Sequence, residues 1–133
     1  MTFTCDTSVL VPALVSWHES HAAARSALVD VTAVPAHVLL ETYSVLTRLP
    51  APQRLSPRIA ADAVAALPWP ALSLSARNRG ALVSELGDHG ISGGGVYDAL
   101  IAATAREHGL TLLSRDRRAR RVYEAMGVTS SLL

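Results

Sequence analysis

Lysine is absent from this chain of 133 residues, in which all twelve basic residues are arginine. Chemistry that depends on a lysine ammonium is therefore excluded, including that of a receiver-type signalling domain built on an α/β fold with an acid cluster. Cysteine is nearly absent as well. Cys5 stands alone in an apolar run with no partner for a disulfide, which fits a reducing cytosol and reads as a small buried strand residue. No apolar run approaches the ~18 residues of a membrane span, and no basic, apolar leader precedes Asp6. The expected location is the cytoplasm, with no membrane contact. Charge is sparse at 17%, while half the residues are hydrophobic, so a packed core can offset chain entropy without disulfides, and disorder is excluded. The length suits a single domain over residues 1–133.

The net charge of +1 conceals an asymmetry. The segment Arg115 to Arg121 reads RDRRARR, five arginines against Asp116, for a net +4; the remainder has seven arginines against ten acids, for −3. Positive charge is thus concentrated beside one acid, a local signal for a polyanionic ligand.

The pattern along the chain alternates strands and helices. Thr2 to Cys5 reads as a strand, with Asp6, Thr7 and Ser8 offering caps for a helix that begins near Ser8. A helix over His21 to Val29, a strand near Thr32 to Val34 and a longer helix from Pro35 to about Leu49 follow. Ser56 and Pro57 provide an N-cap and first helical position for a helix ending near Leu67. Ala71 to Leu74 reads as a strand, Ser75 caps a helix through about Leu86, and Gly93-Gly94-Gly95 is expected to be a flexible loop at the edge of a cleft. Val96 to His108, nearly all alanine and aliphatic, predicts a buried central helix stopped by Gly109. Leu110 to Ser114 is an apolar strand; an arginine-rich helix to Met126 and a last strand from Val128 complete the chain. Such alternation implies an α/β fold whose parallel sheet is covered on both faces, with ligands beyond the carboxyl ends of the strands. Asp6 and Asp116 both fall at such ends.

Four acids stand out on this scaffold. Asp6 has an alternative role as a helix cap, and Asp116 as a surface acid among arginines. Glu41 flanks an apolar stripe of Val38, Val45 and Leu49, where an unpaired carboxylate is costly. Asp98 lies in the first turn of the buried helix, on a face shared with Ile101, Ala102 and Ala105. Four converging carboxylates would repel one another unless a divalent cation intervened. Oxygen donors alone select a hard ion, Mg²⁺ or Mn²⁺, with Ser8 as a further hydroxyl or orienting group. A carboxylate-held Mg²⁺ serves phosphodiester hydrolysis, and Arg115, Arg117, Arg118, Arg120 and Arg121 would contact the phosphates. Two decoys fail. His18-Glu19-Ser20-His21 spaces its histidines one residue short of a zinc-protease motif, and the glycine run lacks the Gly-Lys-Ser/Thr of a phosphate loop. An aspartyl phosphatase is weakened because Ser8 stands where it usually has its second acid.

The segments Cys5-Asp6-Thr7-Ser8-Val9-Leu10-Val11, Leu39-Leu40-Glu41-Thr42-Tyr43, Val96-Tyr97-Asp98-Ala99-Leu100-Ile101-Ala102 and Leu113-Ser114-Arg115-Asp116-Arg117-Arg118 together resemble the PIN-domain nucleases, specifically VapC-type toxins of bacterial toxin–antitoxin pairs. The resemblance covers nearly the whole chain. It implies a three-layer α/β/α domain with a central parallel sheet of four to five strands, Mg²⁺- or Mn²⁺-dependent cleavage of RNA, a homodimer, and inhibition by a small cognate antitoxin. By matching position it implies Asp6, Glu41 and Asp98 as metal ligands and catalytic residues, Asp116 as the fourth acid, and Ser114 in support. Some members carry a further acid two residues after the fourth, where this chain has Arg118. The rival reading is a PIN-fold RNA- or protein-binding module without catalysis.

Overall fold

The computed structural model describes residues 1–133. Five short parallel strands alternate with seven α-helices: β1 (Phe3–Cys5), α1 (Thr7–Leu14), α2 (His21–Ala27), β2 (Val34–Pro35), α3 (Ala36–Thr47), α4 (Pro57–Ala65), β3 (Ala71–Leu72), α5 (Ala76–Asp88), α6 (Gly95–Glu107), β4 (Thr111–Ser114), α7 (Arg120–Ala125) and β5 (Ser130–Leu132). Side-chain caps set several helix starts. Asp6 accepts from the Ser8 amide, Ser56 from Ile59 and Ser75 from Asn78, each satisfying an amide that the first turn leaves free. Gly109 and Gly127, at φ of 67° and 70°, turn the chain out of α6 and α7, a conformation that costs a residue with a Cβ.

The expected parallel sheet is present, laid out in two parts. It consists of a three-stranded sheet, β1-β4-β5, and a two-stranded one, β2-β3, all parallel. The two meet at one bridge, Phe3 to Val31, where the Thr32 amide donates to the Phe3 carbonyl at 3.1 Å. Beyond that point β2 runs into Pro35, which has no amide to extend a ladder. At the centre lies β4, buried at all four positions. Because alternate side chains point to opposite faces, both faces of β4 are covered, by elements that include α1 and α6.

Three local expectations are corrected. The second helix gives way to a 3-10 turn at Leu28–Asp30 before reaching Val29. The glycine run is a hydrogen-bonded turn, not a loose loop: the amides of Gly95, Val96 and Tyr97 donate to Ser92, Gly93 and Gly94, and Gly95 already belongs to α6. A Cβ on Gly95 would meet Ile91 Cγ2 at 3.3 Å, a tight contact that the bare backbone avoids. Finally, α7 starts at Arg120, leaving Arg117 and Arg118 on the preceding turn.

Candidate active site

Parallel pairing of β1 with β4, in register Cys5 to Leu113, sets the carboxyl ends of the two strands side by side. The residue after β1 is Asp6, and the chain beyond β4 carries Asp116. Asp6 is 4% exposed and held from several sides. Its Oδ1 accepts from the Ser8 amide at 3.0 Å and from the Ser8 hydroxyl, while Oδ2 accepts from Tyr123 Oη at 2.7 Å. Burial pushes the carboxyl above its ordinary proton affinity, against the opposing effect of these donors. Tyr123, itself buried, is held far above the usual phenol range by burial and by the neighbouring carboxylates, so it stays a donor.

Ser8 ties the two strand ends together. Its hydroxyl accepts from the Arg115 amide at 2.7 Å and lies 3.4 Å from Ser114 Oγ, which accepts from the Asp116 amide at 3.0 Å. Asp116 Oδ1 accepts in turn from the Arg118 amide at 2.9 Å, and the Arg118 guanidinium lies 3.7 Å away. Ser8 and Ser114 thus sit within one network that fixes both acids.

Glu41 lies on α3 with His37 one turn before it, Nε2 to Oε2 at 3.6 Å. Asp98, in the first turn of α6, is half-buried. Its carboxyl is pushed up to about 6, first by burial and then by the charges of Glu41, Asp116 and Asp6, with Arg118 opposing. That mutual repulsion marks the four acids as electrostatic neighbours. The side chains nevertheless do not form a ready coordination cluster, since no three acidic, histidine or cysteine groups stand close enough to share an ion. The physical reason lies in their partners: Asp6 turns to Ser8 and Tyr123, Asp116 to the Arg118 amide, and Glu41 toward His37.

A cleft of about 430 Å³ contains Glu41 and Asp116 in its wall with Ser8, Arg48, Arg115 and Arg118. Arg48, at the C-terminal end of α3, had no signal in the sequence. The Arg115 guanidinium is bonded to Ser20 Oγ at 2.6 Å and reaches the Ser8 carbonyl at 3.5 Å, so it braces the cleft wall. Arg121 lies in a neighbouring concavity that also touches Arg118, whereas exposed Arg117 borders neither. Arg120 pairs with Glu124 along α7 at 3.0 Å. Tyr123 was also missed, because its contact with Asp6 spans 117 positions in the chain. The histidine decoy resolves as scaffolding: His18 Nδ1 accepts from the Ser20 amide, and His21 Nδ1 donates to the Pro12 carbonyl.

The donor set suits a hard divalent cation. It offers carboxylates and hydroxyls, an acid whose protonation is favoured by burial and by its fellow acids, and the buried, unpartnered Thr7 Oγ1 on the cleft wall. Residues 3–125 match the PIN domain, and the chain belongs to that family.

Within it the chain is similar to Ribonuclease VapC40 of Mycobacterium tuberculosis, with 44% identity over 130 residues and 96% of each chain covered. It is 45% identical over 124 residues to Ribonuclease VapC27 of the same species, covering 92% of this chain and 90% of the relative. In fold it resembles VapBC2 from Rickettsia felis, solved bound to a DNA fragment from its promoter, at a TM-score of 0.68, 20% identity, and coverage of 100% of this chain and 99% of that one.

Proposed function

We propose that this chain is an endoribonuclease that hydrolyses RNA phosphodiester bonds with Mg²⁺ or Mn²⁺ and acts in the cytoplasm as the toxin of a type II toxin–antitoxin pair. In this reading residues 1–133 work as one PIN domain, as a homodimer. The carrying observation is the placement of Asp6 and Asp116 at the adjacent carboxyl ends of β1 and β4, near a half-buried Asp98 whose proton affinity is raised by burial and by the charges of Glu41, Asp116 and Asp6. Its relatives VapC40 and VapC27, both named ribonucleases, and the likeness in fold to VapBC2 give further support.

Asp6, Glu41 and Asp98 would hold the ion through oxygen, with Asp116 as fourth acid. A divalent ion there supplies Lewis acidity and an acidified water. Ser8 and Tyr123 keep the Asp6 oxygens oriented, and Ser114 keeps the Asp116 backbone in place. Arg118 and Arg48 face the cleft and would bind phosphate oxygens, while Arg115 keeps its wall rigid.

The test is cleavage of purified cellular RNA with and without Mg²⁺ or Mn²⁺. Cleavage is expected only with the metal, and Asp98→Asn is expected to keep the fold and lose cleavage. Activity that survives both EDTA and Asp98→Asn overturns the carboxylate-metal mechanism.

A further inference from the structure

Beside the carboxylate cleft lies a feature that hydrolysis itself does not require. Tyr97, immediately before Asp98, is 53% exposed, in a chain with only 5% aromatic residues. Its ring stacks on His37, with centroids 5.1 Å apart and planes 5° from parallel. Each ring neighbours one of the four acids: Tyr97 precedes Asp98, and His37 lies one helical turn before Glu41. The pair borders a concavity of about 440 Å³, which shares Glu41 and Arg48 with the wall of the cleft. The two hollows are therefore contiguous across one carboxylate and one guanidinium.

We propose that the stacked His37–Tyr97 pair is a platform for an unpaired nucleobase of the RNA, next to the phosphate held in the carboxylate cleft. This rests on the ribonuclease reading and adds a preference for single-stranded segments, because only an unpaired base can leave its stack to lie on a side-chain ring. His37 braces Tyr97 from one side, so little ring motion is lost when a base covers the exposed ring. Arg48 lies where the phosphate linking that base to the cleft would pass. The other ring pair, Trp17 and His18, is less suited: its planes are tilted by 34°, its centroids stand 5.9 Å apart, and His18 is committed to the Ser20 amide.

The experiment compares binding of a short fluorescent oligouridylate with binding of a wholly abasic chain of equal length and charge, by anisotropy in EDTA. The wild-type protein is expected to prefer the base-bearing chain by about tenfold, within the range for stacking of a base on an aromatic ring. Tyr97→Ala should bring that ratio close to one while retaining affinity for the abasic chain, and Tyr97→Phe should keep it. A wild type without preference, or a Tyr97→Ala protein that retains it, overturns the platform. So does loss of the preference in Trp17→Ala alone. If Tyr97→Ala instead turns a dimer into a monomer by light scattering and leaves the preference intact, the face belongs to a second copy and the proposal falls. Metal-dependent cleavage by the wild type is measured in parallel. Its absence overturns the ribonuclease reading and the platform with it, whereas cleavage without base preference overturns the platform only.

Discussion

Replacing Asp98 with asparagine should stabilise the metal-free protein, and only above a definite pH. The Asp98 carboxyl rises from 3.8 to about 6 in the fold, driven by burial and by Glu41, Asp116 and Asp6. The folded state therefore holds this proton more tightly than the unfolded chain does. Between pH ~4 and ~6 stability falls as pH rises, and the deficit is complete above pH ~7. At about 1.4 kcal/mol per tenfold change in proton affinity the deficit is at most about 3 kcal/mol. Solvent screening at a half-buried carboxylate reduces it to about 1–1.5 kcal/mol. Asp98→Asn removes the charge at nearly constant shape, so in EDTA at pH 7.5 it should gain about that much, or roughly 3–6 °C in Tm for a domain of this size. At pH 4 the gain should disappear. The assay is urea and thermal unfolding of both proteins across this range. A variant that is destabilised at pH 7.5, or a gain independent of pH, refutes the claim that burial and the neighbouring acids raise the proton affinity of Asp98.

The arginines should separate by position. Arg118→Ala should weaken RNA binding and lower its salt slope by about one, while Arg117→Ala, outside both hollows, should leave the slope nearly unchanged; titrations of RNA binding against salt decide between them. Away from the site, Glu85 receives a two-pronged bond from Arg106, Nη1 to Oε2 at 2.9 Å and Nη2 to Oε1 at 3.0 Å, and this holds the glutamate below its ordinary proton affinity. Glu85→Gln should cost about 0.5–1 kcal/mol at pH 7, given the exposure of the pair. A depressed acid stabilises above its unfolded pKa and loses that contribution as pH falls through the folded one, so the cost should shrink as pH falls below the ordinary glutamate range in denaturant titrations.

The strand and helix order was readable because local signals and packing agree. Ser56-Pro57 and Ser75 cap where they should, and the alanine-rich stretch after Val96 is the buried helix α6. The division of the sheet was not readable, since it depends on where β2 parts from β1 at Thr32, a tertiary event between short strands. The same holds within the site. Asp6 and Asp116 could be placed at strand ends from apolar patterning alone, because the ends of parallel strands share one edge. Tyr123, Arg48 and His37 could not, because their relevance comes from contacts or shared hollows distant in sequence. The glycine run misled for a different reason. Glycine signals freedom, but Gly95 begins α6 and packs close against Ile91.

The hydroxyl contact between Ser8 and Ser114 joins residues 106 positions apart, and the amide of Arg115 closes on the same oxygen. During synthesis, at ~5–20 residues per second, the first of these groups leaves the ribosome about 5–20 s before the second. Throughout that interval Asp6 has no β4 beside it, and Asp116 has yet to emerge. In the proposed ribonuclease reading, the machine that makes the protein is built of its substrate. Assembly of the site from residues so far apart in sequence leaves each copy without a complete site until β4 has been made and paired with β1, a delay in which a partner already present could meet it.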